Sequence, residues 1–256
     1  MNSPIQAPSI PRHIAIIMDG NNRWAVRQGI AGHLGHRAGV EVVRAVMEAC
    51  EKKGVEVLTL FAFSSENWGR PEAEVRALMA LLYRYLRSEL EKLQRDGIRL
   101  RIVGRRDRFS PRLRRLFEVT EAATADNTNA TLVLALDYGG RWDIASAARQ
   151  LAESVQAGSL QPDQINEETL ESQLSLSDLP PPDLCIRTAG EQRMSNFLLW
   201  HLAYSEFFFT DTLWPDFDET TLDAAIADYQ RRERRFGVRK NADGHDGRRL
   251  GDSHRA

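Results

Sequence analysis

The stretch His13-Ile-Ala-Ile-Ile-Met-Asp-Gly-Asn-Asn-Arg-Trp-Ala25 decides how the chain is read. Four apolar residues, Ile14 to Ile17, run without alternation and pass through Met18 into Asp19-Gly20. An unbroken apolar run of this length fits a strand covered on both faces, as in a parallel sheet. The run then delivers one carboxylate to its end, with two asparagines and an arginine beside it. Reading outward, further strands are expected near Val57–Phe63, Leu100–Val103, Leu132–Leu136 and Leu184–Arg187. Helical spacing separates them. Val40, Val43, Val46 and Met47 share one face of a helix that stops at Gly54. A second helix follows Pro71, with Val75, Leu78, Leu82, Leu86 and Leu93 on its apolar face, and ends at Gly97. Further helices are expected after Ser110-Pro111, after Trp142 and over Thr221–Arg235. Such alternation predicts an α/β fold: a single domain with a mainly parallel central sheet flanked by helices. The polar stretch 158–183 carries a short helix at most.

The bulk properties narrow the function classes. The chain has 256 residues and a formal net charge of −2. That balance argues against general nucleic-acid binding, which rests on phosphate contacts. The two cysteines, Cys50 and Cys185, are far apart in sequence and suggest a reducing compartment. No apolar run reaches membrane-spanning length, and the first residues lack the pattern of a signal peptide. A cytoplasmic protein is expected, with residues 1–12 a flexible N-terminus, 13–239 one catalytic domain, and 240–256 a disordered tail.

In open α/β sheets ligands bind beyond the carboxyl ends of the strands. Three such loops are informative: Asp19-Gly-Asn-Asn-Arg-Trp24, Ser64-Ser-Glu-Asn-Trp-Gly-Arg-Pro71 and Arg187-Thr-Ala-Gly-Glu-Gln-Arg-Met-Ser-Asn-Phe197. Their arginines suit bidentate binding of phosphate. Gly20 before a helix start would free backbone N–H groups for the same anion, and Ser195-Asn196 suggests a second helix N-terminus. A lone carboxylate among arginines suits Mg²⁺, which takes one or two protein carboxylates together with phosphate oxygens. Surface ion pairing is the competing reading for any one of these loops. No GxGxxG follows the first strand and no P-loop motif occurs, so dinucleotide and P-loop NTPase sites lack support. A phosphatase nucleophile is disfavoured because Asn21 stands where a second Asp is usual. His33 and His36 lack a third ligand for zinc.

Six segments in order resemble the cis-prenyltransferase family: residues 13–25, Gly35-His-Arg-Ala-Gly-Val-Glu41, 59–71, Leu136-Asp-Tyr-Gly-Gly-Arg-Trp-Asp-Ile144, 183–217 and 231–237. They span nearly the whole chain, and the paired DDxxD motifs of trans-prenyltransferases are absent from it. The resemblance implies a homodimer with a hydrophobic tunnel. The implied reaction condenses farnesyl diphosphate with successive isopentenyl diphosphates to undecaprenyl diphosphate, a carrier precursor for cell-wall polysaccharide. A non-catalytic partner subunit of a hetero-dimer is the alternative, but such subunits lose the Asp-Gly-Asn cluster kept here.

The same resemblance implies roles residue by residue. Asp19 is the central catalytic residue and binds Mg²⁺, with Glu206 as a second metal ligand, and Asn67 takes part in proton removal. Gly20, Asn21, Asn22, Arg23, His36 and Arg70 surround the allylic diphosphate. Arg187, Arg193 and Ser195 hold the isopentenyl diphosphate, while Trp24, Ser64, Glu66 and Trp68 position substrate. Arg235 to Gly237 is similar to an RxG motif that completes a neighbouring subunit's site. A peripheral membrane contact for product release is implied as well. Two positions depart from the pattern. Asn22 stands where a second glycine is common, and Gly32 where an arginine often contacts diphosphate.

Overall fold

The computed structural model describes residues 10–232. Six strands form one sheet in the order β3-β4-β2-β1-β5-β6, and every pairing is parallel. They are β1 (His13–Ile17), β2 (Val57–Ser64), β3 (Ile98–Val103), β4 (Ala130–Tyr138), β5 (Leu184–Arg187) and β6 (Glu206–Phe209). The helices are α1 (Asn21–Arg27), α2 (Gly32–Lys52), α3 (Glu72–Arg95), α4 (Pro111–Ala123), α5 (Gly140–Gln156), α6 (Glu167–Glu171) and α7 (Glu219–Arg231). The single α/β domain expected from the sequence is the fold observed.

The unalternating runs are explained by two covered faces. Ile14 and Ile16 of β1 join Leu58, Leu60, Leu132 and Leu134 in a core beneath α2, α3, α4 and α7. Ala15 and Ile17 face the other way, into a smaller cluster with Val133, Cys185, Phe197 and Leu202. Gly54 and Gly97 close α2 and α3 with φ of 82° and 67°, the left-handed conformation that stops a helix.

Three elements differ from the expectation. Helix α2 starts at Gly32, a turn or two before the valine stripe, because its first turns pack on α1 rather than on the sheet. Strand β6 was missed, since a four-residue edge strand leaves no period to count. No helix follows Ser195-Asn196. Residues 199–204 form turns instead, because Ser195, Asn196 and Leu198 all hold positive φ, which a helix cannot continue. Among the described residues no helix is long and apolar enough to cross a membrane. Residues 1–9 and 233–256, including Arg235, Gly237 and the expected tail, lie outside the described residues.

Candidate active site

Strand β1 lies between β2 and β5, and the chain order reverses there: the chain leaves β1 towards β2 and later returns to add β5 on the other side. That reversal is a topological switch point, where α/β sheets open a ligand crevice. Asp19 follows β1 and Arg187 ends β5, so the fold brings together at this crevice two residues 168 apart in sequence. The Arg187 guanidinium donates through Nη2 to Asp19 Oδ2 at 2.6 Å and through Nη1 to Ser195 Oγ at 2.7 Å. It also donates to the Arg193 carbonyl. Arg187 is buried, so its charge depends on these partners. The Asp19 backbone is fixed on both sides. Its N–H donates to Thr188 Oγ1 at 2.8 Å, and its carbonyl accepts from the Trp214 N–H at 2.9 Å.

Gly20 carries the chain into α1 with φ of 105°. A Cβ there would sit 2.9 Å from Leu213 and 3.1 Å from Ala189, so no other residue fits. Helix α1 begins at the next residue, and its first-turn amides have no intrahelical acceptor. The glycines of the 35–41 motif have a steric reason. A Cβ on Gly35 would collide with the Asn21 carbonyl at 2.0 Å, and one on Gly39 with Asn21 Oδ1 at 2.2 Å. Spaced four apart, both lie on the helix face against which α1 rests. The same close approach leaves Asn21 Oδ1 buried without a hydrogen-bond partner.

A cavity of about 890 Å³ opens at this crevice. Its polar end is lined by Asp19, Gly20, Asn21, Asn22, Arg23, His36, Ser64, Glu66, Asn67, Arg70, Arg187 and Ser195, so the expected residues largely converge. Its inner end is apolar, with Val40, Val43, Leu78, Leu82, Leu134 and Leu136. Asn67 Oδ1 accepts from the Ser64 N–H at 3.0 Å, capping the 3-10 turn Ser65–Gly69 that presents this loop.

Each arginine of the cavity wall has an acidic partner. Arg70 pairs with Glu74 at 3.0 Å and Arg23 with Glu191 at 3.5 Å, beside the Arg187–Asp19 pair. Incoming phosphate oxygens and a cation would exchange these pairs for equivalent ones. Burial, then Arg70, holds His36 below the ordinary histidine range, with Glu74 opposing at 3.9 Å. His36 is therefore neutral at neutral pH and can donate one hydrogen bond without adding charge. Burial works against the charged form of Glu66, yet the hydrogen bond from Asn196 at 2.9 Å and other contacts keep its carboxyl below the usual range.

Four expected residues stand off the cavity wall within one chain. Trp68 packs with Phe63 and Phe109 at ring distances of 5.0 and 5.6 Å, beneath the Arg108 guanidinium. Within one chain Trp68 therefore packs against the core rather than on the cavity wall. Trp24 turns to the rim, where its indole donates to Asp216 at 2.6 Å. Arg193 points outward to Glu191. Glu206 does not stand beside Asp19 within one chain. It begins β6 and is in register with Leu184 and so with Ile14. That places it five residues, roughly 16 Å along the strands, from Asp19, and it pairs with Arg232 at 2.6 Å. The sequence reading missed Glu74, whose signal is its spacing of four from Arg70, and Trp214. It also missed Asn196 as a cavity residue.

The two departures from the family pattern turn out to be neighbours. A Cβ on Gly32 would lie 2.3 Å from Asn22 Oδ1. In the conformation observed, the Asn22 amide occupies the space that a side chain at position 32 would enter.

Comparison with known proteins settles the family. The family model of undecaprenyl diphosphate synthases among prenyltransferases matches residues 17–237. The chain belongs to this family. It is 58% identical over 228 residues to the ditrans,polycis-undecaprenyl-diphosphate synthase ((2E,6E)-farnesyl-diphosphate specific) of Pseudomonas aeruginosa, covering 89% of this chain and 91% of that one. It is 54% identical to the Escherichia coli K12 protein of the same name, with 88% and 89% covered. The crystal structure of lavandulyl diphosphate synthase from Lavandula x intermedia, in complex with dimethylallyl diphosphate, superposes with a TM-score of 0.87. That match has 39% identity and covers 90% of this chain and 99% of that one. An enzyme of prenyl transfer is thus the class to which this undecaprenyl-diphosphate-synthase fold and cavity belong.

Proposed function

We propose that the protein condenses farnesyl diphosphate with successive isopentenyl diphosphates, building a long cis-polyprenyl diphosphate, undecaprenyl diphosphate. One observation carries this reading: the Asp19–Arg187 pair sits at the switch point of the sheet, at the polar mouth of a cavity whose inner wall is apolar. A diphosphate fits the mouth and a hydrocarbon chain the interior. Each five-carbon unit buried contributes up to roughly 4 kcal/mol, at about 0.8 per carbon.

The chain's own residues account for the chemistry. As the allylic C–O bond breaks, negative charge grows on the departing diphosphate. Arg23, Arg70 and the first-turn amides of α1 stabilise that charge, with His36 as a neutral donor. Arg187 and Ser195 hold the second diphosphate. The apolar wall keeps water from the positive allylic fragment. Asn67 and Glu66 lie at the mouth as the groups nearest in kind to a proton acceptor.

The donor set fits Mg²⁺. Among the described residues no group of three or more His, Cys, Asp or Glu gathers to cage a metal. Asp19 engages Arg187 through Oδ2, which leaves Oδ1 for a cation whose other ligands are phosphate oxygens and water. When bound, Mg²⁺ supplies charge neutralisation at the leaving diphosphate. We further propose a cytoplasmic homodimer that meets the membrane peripherally when its product leaves.

The test is incubation with farnesyl diphosphate, labelled isopentenyl diphosphate and Mg²⁺. Stepwise elongation is expected. Release of phosphate without elongation would refute prenyl transfer.

A further inference from the structure

The inner end of the cavity is closed by a specific pair of layers. The cavity descends between α2 and α3 against the face formed by β2 and β4. Its wall reaches Val43 on α2 and Tyr85 on α3, and no residue further along either helix lines it. Beyond that level Met47 on α2, Leu86 on α3, and Leu58 and Leu132 in the next layer of the sheet are buried in the core. Beside Tyr85 the two helices are tied by an ion pair. Arg44 Nε donates to Glu89 Oε2 at 3.1 Å, and the Glu89 side chain is only 5% exposed. Lys92 and Glu48 tie the same helices one turn further on.

A growing hydrocarbon chain gains free energy with each carbon that finds apolar wall. That gain ends at Tyr85. To go further the chain must displace the ring, and then part Arg44 from Glu89. Parting them would leave a buried carboxylate unpaired, a cost comparable to what one more five-carbon unit returns. An aromatic ring alone can rotate aside; the Arg44–Glu89 pair that ties both helices beside Tyr85 opposes that movement.

We propose that Tyr85, backed by the Arg44–Glu89 pair, is the residue that sets how many five-carbon units the product contains. This rests on the prenyl-transfer reading above and adds to it the element that limits chain length.

The experiment is mass spectrometry of the products from farnesyl diphosphate and isopentenyl diphosphate. It compares the wild-type protein with Tyr85→Ala, Tyr85→Phe and Leu82→Trp. Tyr85→Ala shifts the main product longer by at least one five-carbon unit. Tyr85→Phe, which keeps the ring, gives the wild-type length. Leu82→Trp, nearer the mouth, gives a shorter product. Circular dichroism checks folding, and Tyr85→Leu replaces Tyr85→Ala with the same expectation if the alanine variant unfolds. Unchanged product length in the smaller Tyr85 variant, while the wild-type protein elongates, overturns the assignment of Tyr85. Absence of elongation by the wild-type protein overturns the prenyl-transfer reading instead.

Discussion

Asn22 and Gly32 show how a single contact can be visible only in three dimensions. Each looked like an isolated departure in the sequence, ten positions apart. The structure sets the Asn22 amide beside the bare Cα of Gly32, so the two departures meet in one place. Gly32→Ala would force Asn22 Oδ1 to move from a Cβ 2.3 Å away. Because Asn22 is exposed, stability should change little. The expected outcome is a raised KM for the allylic substrate with folding intact, read from steady-state kinetics and thermal melting. An unchanged KM would show that Asn22 does not touch the diphosphate. Asp19 and Arg187, by contrast, were legible from sequence, since each ends an apolar run and strand ends are where such sheets bind ligands. Trp68 was not, because an aromatic beside a loop motif gives no sign of whether it faces the cavity or the core.

At the scale of elements, the segment after β5 carries the largest difference from expectation. Ser195-Asn196 before an apolar run reads as a helix start, yet three residues there adopt positive φ. Such strain persists where the surroundings over-determine it. Asn196 supplies that determination. Its carbonyl and Oδ1 accept from the Gly140 and Arg141 N–H groups, at 2.6 and 2.9 Å, so it caps α5 from a distant part of the chain. Its Nδ2 reaches Glu66. It thereby joins α5, the loop after β2 and the Ser195 contact to Arg187. Removing a cap costs about 1 kcal/mol, which lowers the melting temperature by roughly 2–4 °C in a domain of this size. Asn196→Ala should show that drop together with a raised KM for isopentenyl diphosphate. A drop in melting temperature without any kinetic change would confine Asn196 to a structural role. No local pattern announces a cap made across such a distance, which is why sequence reading assigned Ser195-Asn196 to a helix of its own.

At the scale of the whole fold, three histidines among the described residues are held neutral by burial: His13, His36 and His201. His13 is pushed down to about 4, chiefly by desolvation, while its ring bonds Thr59 and the Pro180 carbonyl at 2.7 Å each. The unfolded chain takes up the proton first as pH falls. Stability from His13 is therefore complete above about pH 6.5 and is lost as pH falls towards 4. The shift corresponds to something on the order of 3 kcal/mol. Melting temperatures measured over that window should fall with pH, and less steeply for His13→Gln. An equal slope in both proteins would place the acid sensitivity elsewhere. The architecture itself was largely legible, because fully covered parallel strands produce unbroken apolar runs and the helices between them carry clear stripes. Strand order was not, since nothing local in the sequence says that β4 inserts between β3 and β2.

The account turns on Asp19 as a residue of chemistry rather than of packing. Its side chain is 39% exposed at the cavity mouth, and its backbone is held by Thr188 and Trp214 whatever the side chain. The direct measurement is single-turnover elongation of farnesyl diphosphate by Asp19→Ala beside the wild-type protein, at saturating Mg²⁺. Elongation should fall by about a hundredfold to a thousandfold, as for loss of a principal electrostatic group, with the circular dichroism spectrum unchanged. Near-normal turnover by a folded Asp19→Ala protein would contradict the account.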